Sequence, residues 1–127
     1  MKTLIIEDNP ETVQEITSCL KEAFPDVVVA TVSEGQGGIE LIKAEVFDLA
    51  IVTSTLSDMN VLHLIKHVRD LSDVPLIVIY KEYDDDLIGR HIGAGADEYL
   101  ILPLDKEECS AKIKALIRFI DKIRFFD

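Results

Sequence analysis

The sequence predicts an α/β domain in which five parallel strands alternate with five helices. Short apolar runs such as Leu4-Ile5-Ile6, Leu49-Ala50-Ile51-Val52 and Leu76-Ile77-Val78-Ile79-Tyr80 recur along the chain. Between them lie longer stretches whose apolar residues return every three or four positions, the period of a helix with one buried face. The short runs are apolar throughout rather than alternating. Strands of that kind are covered on both faces, which means a parallel sheet between two helix layers.

The elements follow in order. Leu4-Ile5-Ile6 is the first strand, and Asn9 or Pro10 opens a helix through Val13, Ile16, Cys19, Leu20 and Ala23, ended by Pro25. Val27 to Val32 is a dense β-branched second strand. Ser33 is expected to cap a second helix with Ile39, Leu41 and Ile42 inward, its first turn weakened by Gly35, Gly37 and Gly38. Asp48 to Thr53 is the third strand, followed by a helical stripe at Val61, Leu64, Ile65 and Val68. Pro75 leads into the fourth strand, Leu76 to Tyr80. Leu87, Ile88 and Ile92 mark a fourth helix, ended by Gly93 and Gly95. "DEYLIL" is the fifth strand. Asp105 caps the last helix, whose Cys109, Ile113, Leu116, Ile117 and Ile120 share one side, and Glu108 makes a near capping box. Right-handed crossovers leave few topologies, and the flavodoxin-like strand order 2-1-3-4-5 is the expected one. Residues 1–127 read as one domain, complete or the N-terminal part of a longer chain. Phe125 and Phe126 are expected to pack on the domain or to lead into a linker.

Composition narrows the function. The chain has 127 residues, 48% of them hydrophobic, enough for one core and too many for a disordered segment. Its net charge of −11 disfavours direct contact with nucleic acid or anionic membrane surfaces and otherwise confers solubility. No apolar run approaches the ~18 residues of a membrane span, and a cytoplasmic location is expected. Cys19 and Cys109 have no CxxC spacing, so buried reduced thiols are expected rather than a zinc site or a redox pair. His63, His67 and His91 are expected on the surface, although His63 and His67 stand four apart on a helix, a spacing that suits a metal.

In a sheet of this kind ligands bind beyond the carboxyl ends of the strands. Those loops offer Glu7-Asp8, Thr53 onward, Tyr80-Lys81 and Leu102-Pro103. Glu7 and Asp8 could hold magnesium through oxygen, but without a third anionic group they mainly repel each other; alternatively they favour the start of the following helix. Thr53 is a weak nucleophile with no evident base. Asp8-Asn9-Pro10 occupies the turn where a phosphate-cradling glycine loop would lie, which argues against a flavodoxin-like enzyme or nucleotide binder.

The whole pattern resembles the receiver domain of two-component response regulators. "LIIEDNPE" resembles that family's first strand with its acidic pair, and "FDLAIVTSTLSDMNVLHLIKHVR" the stretch carrying its phospho-accepting aspartate. "VPLIVIY" resembles its fourth strand and "GAGADEYLILPLD" its fifth with the Lys-Pro turn. The resemblance implies that Glu7 and Asp8 match the metal-binding acids and Tyr99 the switch aromatic. It puts Thr53 where the family has the phosphorylated aspartate, Tyr80 where it has the phosphate-sensing Thr or Ser, and Leu102 where it has a lysine. It also implies that the Leu102-Pro103 bond is cis. Asp58 and Asp48 lie too far from Glu7 and Asp8 to replace the missing aspartate.

The losses agree with one another. Phosphoryl transfer needs a carboxylate nucleophile, a metal completed by it, and cations on the transferred oxygens. The expectation is a pseudo-receiver: a phosphorylation-independent, non-enzymatic signalling module that needs no cofactor. Helix 5 also resembles the winged-helix transcriptional regulator subfamily, which implies a transcriptional context and a dimer or partner face on helix 4, strand 5 and helix 5. Glu98, Glu108 and Lys112 match interface charges of that subfamily, while Ile88 stands where it has an arginine. The alternatives are a receiver still regulated by phosphorylation or magnesium at the residual acids, and a small flavodoxin-like enzyme or nucleotide binder.

Overall fold

The computed structural model describes residues 1–126, with side chains described to Ile123. The elements are β1 (Lys2–Ile6), α1 (Pro10–Ala23), β2 (Val28–Val32), α2 (Gly35–Ala44), β3 (Leu49–Thr53), α3 (Val61–Leu71), β4 (Leu76–Tyr80), α4 (Asp85–Ala94), β5 (Glu98–Ile101) and α5 (Lys106–Phe126). The five strands pair in parallel in the order β2-β1-β3-β4-β5, as the crossover rule predicts. The side chains of Phe125 and Phe126 lie outside the described residues.

Alternation along the central strands builds two cores. Leu4, Ile6, Ala50, Val52, Leu76, Val78 and Tyr80 face α2, α3 and α4 and meet Ile39, Leu64, Ile65, Val68 and Ile88. Ile5, Leu49, Ile51, Ile77, Ile79 and Leu100 face α1 and α5 and meet Ile16, Leu20 and Ile113. Each fully buried side chain of this size contributes roughly 1.5–3 kcal/mol. β2 departs from the expected pattern. It is an edge strand, and Val28 at its start is 60% exposed, because helices do not cover the end of the sheet on both sides.

Local chemistry starts α1 and α5 as expected. Asn9 Oδ1 accepts from the backbone N–H of Glu11 (2.9 Å) and Thr12 (3.3 Å), with Pro10 at the first helical position. Asp105 Oδ1 accepts from Glu108 N–H at 3.0 Å. Ser33 does not cap α2, contrary to expectation. Glu34 holds the cap position without a side-chain bond. The two free N–H groups of Gly35 and Gln36 instead donate to the Asp58 carboxylate, 2.9 and 3.0 Å away in the loop after β3. Those backbone bonds, Gln36 first, hold the Asp58 carboxyl below its ordinary 3.8. A lowered folded-state value stabilises the fold above the unfolded value and is lost as pH falls through the folded one. Asp58→Asn is therefore expected to lower the urea midpoint at about pH 7, by a gap that narrows as pH falls below the ordinary 3.8. An equal gap at both ends of a pH series would refute this role.

One glycine of α2 has a packing reason. A Cβ at Gly38 would collide with the Ile6 side chain, so glycine lets the helix lie close on β1. This offsets a helix penalty of about 1 kcal/mol. Gly95 closes α4 with φ 129°, in the region that favours glycine.

Two further sequence readings need correction. Cys19 and Cys109 are not free thiols but a disulfide, with Cα atoms 6.3 Å apart across 90 residues of sequence. The sheet order lays α1 beside α5 on one face, so two positions without any spacing signal meet there. His91 is not a surface residue: it is 2% exposed, while Ile92 is 40% exposed. Both fit a helical repeat from Ile88, and the helix turns the histidine, not the isoleucine, toward the sheet.

Arg69 joins three segments at the opposite end of the sheet. Its guanidinium donates to the carbonyls of Gly95 (2.9 Å) and Val74 (2.7 Å) and to Asp97 Oδ2 (2.8 Å). Asp97 in turn accepts from Leu76 N–H at 2.8 Å. No helix among the described residues is long and apolar enough to cross a membrane.

Candidate functional site

β1 and β3 are neighbours with Ile6 opposite Val52, so the next residues, Glu7 and Thr53, emerge side by side at the carboxyl edge. Glu7 is 8% exposed and Thr53 4%. The Thr53 hydroxyl donates to Glu7 Oε2. Glu7 Oε1 accepts from the N–H groups of Asp8 (3.1 Å) and Asn9 (2.9 Å). The Glu7 carboxylate thus serves as acceptor for its own turn and for Thr53, while Asp8 is exposed.

A cavity of about 100 Å³ opens here, lined by Glu7, Asp8, Thr53, Ser54, Thr55 and Lys81 among others. That is room for roughly three waters. Lys81 is the only cation among its lining residues. Leu102 forms an apolar wall; its N–H donates to Tyr80 O at 2.8 Å, and the Leu102–Pro103 peptide is cis, as the resemblance implied. Glu7 already accepts three hydrogen bonds, which leaves Asp8 as the one uncommitted carboxylate, with no third anionic group beside it to complete a site for a hard divalent cation. No group of three His, Cys, Asp or Glu that could hold a metal occurs among the described residues. The residues present do not fit a bound magnesium.

Tyr80 leaves this cavity altogether. Its ring turns under α4, 1% exposed, and stacks on the His91 imidazole with ring centres 5.6 Å apart. Its hydroxyl lies 2.6 Å from His91 Nδ1. Tyr99 meets the Tyr80 ring edge-on at 6.5 Å. Burial, and then the Asp84 charge, push the Tyr80 phenol up to about 12. Burial, and then the Arg90 charge, push the His91 imidazole below its ordinary value. Both groups are therefore neutral near neutrality, and one shared hydrogen bond satisfies both buried atoms.

Three charges singled out by sequence come together with Tyr99. Lys112 Nζ lies 3.3 Å from Glu108 and 3.7 Å from Glu98. It donates to Tyr99 O at 3.2 Å and sits 4.7 Å above the Tyr99 ring. Exposed pairs of this kind are worth about 0.2–1 kcal/mol each. Ile88 is buried on the inner face of α4. His63 and His67 face each other on α3 with ring centres 6.2 Å apart. Asp58 is committed to the start of α2, away from Glu7. The residue that sequence reasoning missed is His91. Its signal was a polar residue three positions after Ile88, in phase with the buried stripe.

Comparison with known proteins agrees with this geometry. The response regulator receiver domain family matches residues 3–114. The transcriptional regulatory protein HprR of Escherichia coli is 30% identical over 118 residues, covering 93% of this chain and 52% of HprR. The cell cycle transcriptional regulator CtrA of Caulobacter vibrioides is 31% identical over 120 residues, covering 93% and 51%. The chain thus spans about half the length of these curated relatives. A two-component response regulator from Clostridium difficile superposes with a TM-score of 0.85 at 28% identity, covering 93% of this chain and 96% of that one. A CheY-like receiver domain from Methanospirillum hungatei shares the fold, with a TM-score of 0.85 at 23% identity and cover of 95% and 96%. With its strand order, its acidic turn and its cis Leu102–Pro103 bond, this chain belongs to the response regulator receiver domain family.

Proposed function

We propose that this domain is a pseudo-receiver: a two-component signalling module that works without phosphorylation, through protein contacts, in the cytoplasm and in transcriptional control. One observation carries the reading. Where the family's chemistry would need a free carboxylate, the Thr53 hydroxyl closes onto Glu7. A neutral hydroxyl cannot replace the carboxylate nucleophile, and it removes the anion that would complete a metal site. Two further features support it. Tyr80 is withdrawn to His91, so no small hydroxyl reaches the cavity from β4. Leu102 brings an apolar wall where the resemblance calls for a cation. Lys81 leaves one positive charge at the rim, too little without a nucleophile.

The transcriptional context is extended from HprR and CtrA, whose names state that role. For contacts we propose the face of α4, β5 and α5, where Glu98, Glu108 and Lys112 form one network around Tyr99. Direct nucleic-acid contact by this domain is disfavoured by its charge of −11. The test is incubation with a small phosphodonor and magnesium, followed by intact mass and size measurement. No mass gain and no change in size are expected. A gain of one phosphoryl group that Thr53→Ala abolishes would overturn the proposal.

A further inference from the structure

The two halves of the disulfide sit on different helices at the heart of one core. Cys19 is 0% and Cys109 1% exposed, on α1 and in the first turns of α5. Around them lie Ile5, Ile16, Leu20 and Ile113. A second tie runs alongside: Leu104 N–H, just before α5, donates to Glu15 of α1. The start of α5 is thus fastened to α1 by one covalent link and one hydrogen bond. Three residues beyond Cys109 on the same helix is Lys112, the centre of the network with Glu98, Glu108 and Tyr99.

The buried core is extensive apart from this link. The core holds a full set of buried aliphatic side chains on both faces of the sheet. A domain of this size buries enough apolar surface to fold without a staple. Reduced cysteines behave as small hydrophobes, and these two would remain in apolar surroundings. Two folded states, bonded and unbonded, are therefore available to the same chain. They differ in how firmly α5 is held.

We propose that Cys19 and Cys109 are a reversible redox modification site whose oxidation locks α5 to α1. The partner is a low-molecular-weight thiol–disulfide couple of the glutathione class. In oxidation the two protein thiols lose their two protons and two electrons and form the Sγ–Sγ bond. The small disulfide accepts both and cleaves to two thiols. Reduction runs the same exchange backwards. The attacking species is a thiolate, and both sulfurs are enclosed, so exchange proceeds through transient parting of α5 from α1.

The chain would be treated, folded, with oxidised or reduced glutathione and followed by intact mass and amide hydrogen exchange. Oxidation is expected to remove two hydrogens and to slow exchange along Cys109–Ile117 about tenfold or more, leaving α3 unchanged. The thermal midpoint should rise by on the order of 10 °C. Cys19→Ala with Cys109→Ala should give the reduced pattern under both treatments, because it leaves no thiol to attack the small disulfide. A folded chain that never loses the two hydrogens overturns the proposal. So does a bond that resists the thiol until the domain is denatured, or equal α5 exchange in the two states; the mass readout needs no variant.

Discussion

Tyr80→Ala is expected to lower the unfolding free energy by about 3–5 kcal/mol, the range for removing a fully buried aromatic ring. The ring is 1% exposed and packs between His91 and Tyr99, so its loss opens a cavity under α4. It also strands His91 Nδ1, 2.6 Å from the tyrosine hydroxyl, without a partner. Tyr80→Phe keeps the packing and removes the hydrogen bond, so about 1–3 kcal/mol is expected. Urea unfolding of the three proteins separates the two parts, and a loss below about 1 kcal/mol for the alanine variant would contradict the packing described. The same pair sets an acid limit. The folded-state value of His91 lies below its ordinary 6.5, so the unfolded chain binds a proton that the folded chain resists. Its contribution is complete above 6.5 and shrinks as pH falls below it. His91→Leu should remove that part of the pH dependence.

Thr53→Asp is expected to destabilise the domain by about 2–3 kcal/mol in the absence of divalent ions. The substitution exchanges the hydroxyl that donates to Glu7 for a second carboxylate at a position 4% exposed. A donor is lost and a like charge is added where water is scarce, so one of the two acids is driven to bind a proton. The new carboxylate with Glu7 and Asp8 would also supply the three acidic ligands that the native site lacks. Magnesium at about a hundredfold excess over its dissociation constant would then restore ~2.7 kcal/mol. The native chain should show no magnesium-dependent shift in thermal midpoint. A native midpoint that rises with magnesium, or a variant as stable as the parent without it, would count against the account of Glu7 and Thr53.

What was legible in the sequence was local. Leu76 to Tyr80 reads as a buried strand because every residue is apolar, and Asn9 and Asp105 read as caps because their partners lie two or three residues away. The α3 stripe at Val61, Leu64, Ile65 and Val68 is buried as its period requires. What escaped depends on distance along the chain. Asp58 reaches α2 across 22 residues to Gln36 and 23 to Gly35, and Cys19 meets Cys109 across 90. Such pairs leave no periodic trace. His91 escaped for another reason: helical phase admits it and Ile92 about equally, and hydropathy favoured the wrong one. At the candidate site, position alone put Tyr80 beside Thr53. Strand alternation then turned it to the opposite face, where α4 covers it.

The Cys19–Cys109 bond also makes residues 19–109 a closed ring of covalent bonds containing β2, β3, β4 and β5. β1 lies outside that ring in the chain, yet sits between β2 and β3 in the sheet. A protease that cuts once in any loop within the ring opens it without releasing a fragment; the two ends stay joined through sulfur. A cut between β1 and Cys19 is different, because it severs the only covalent path to the strand next to the centre of the sheet. The oxidised domain therefore tolerates nicks along most of its length and is vulnerable in the turn that carries Asp8.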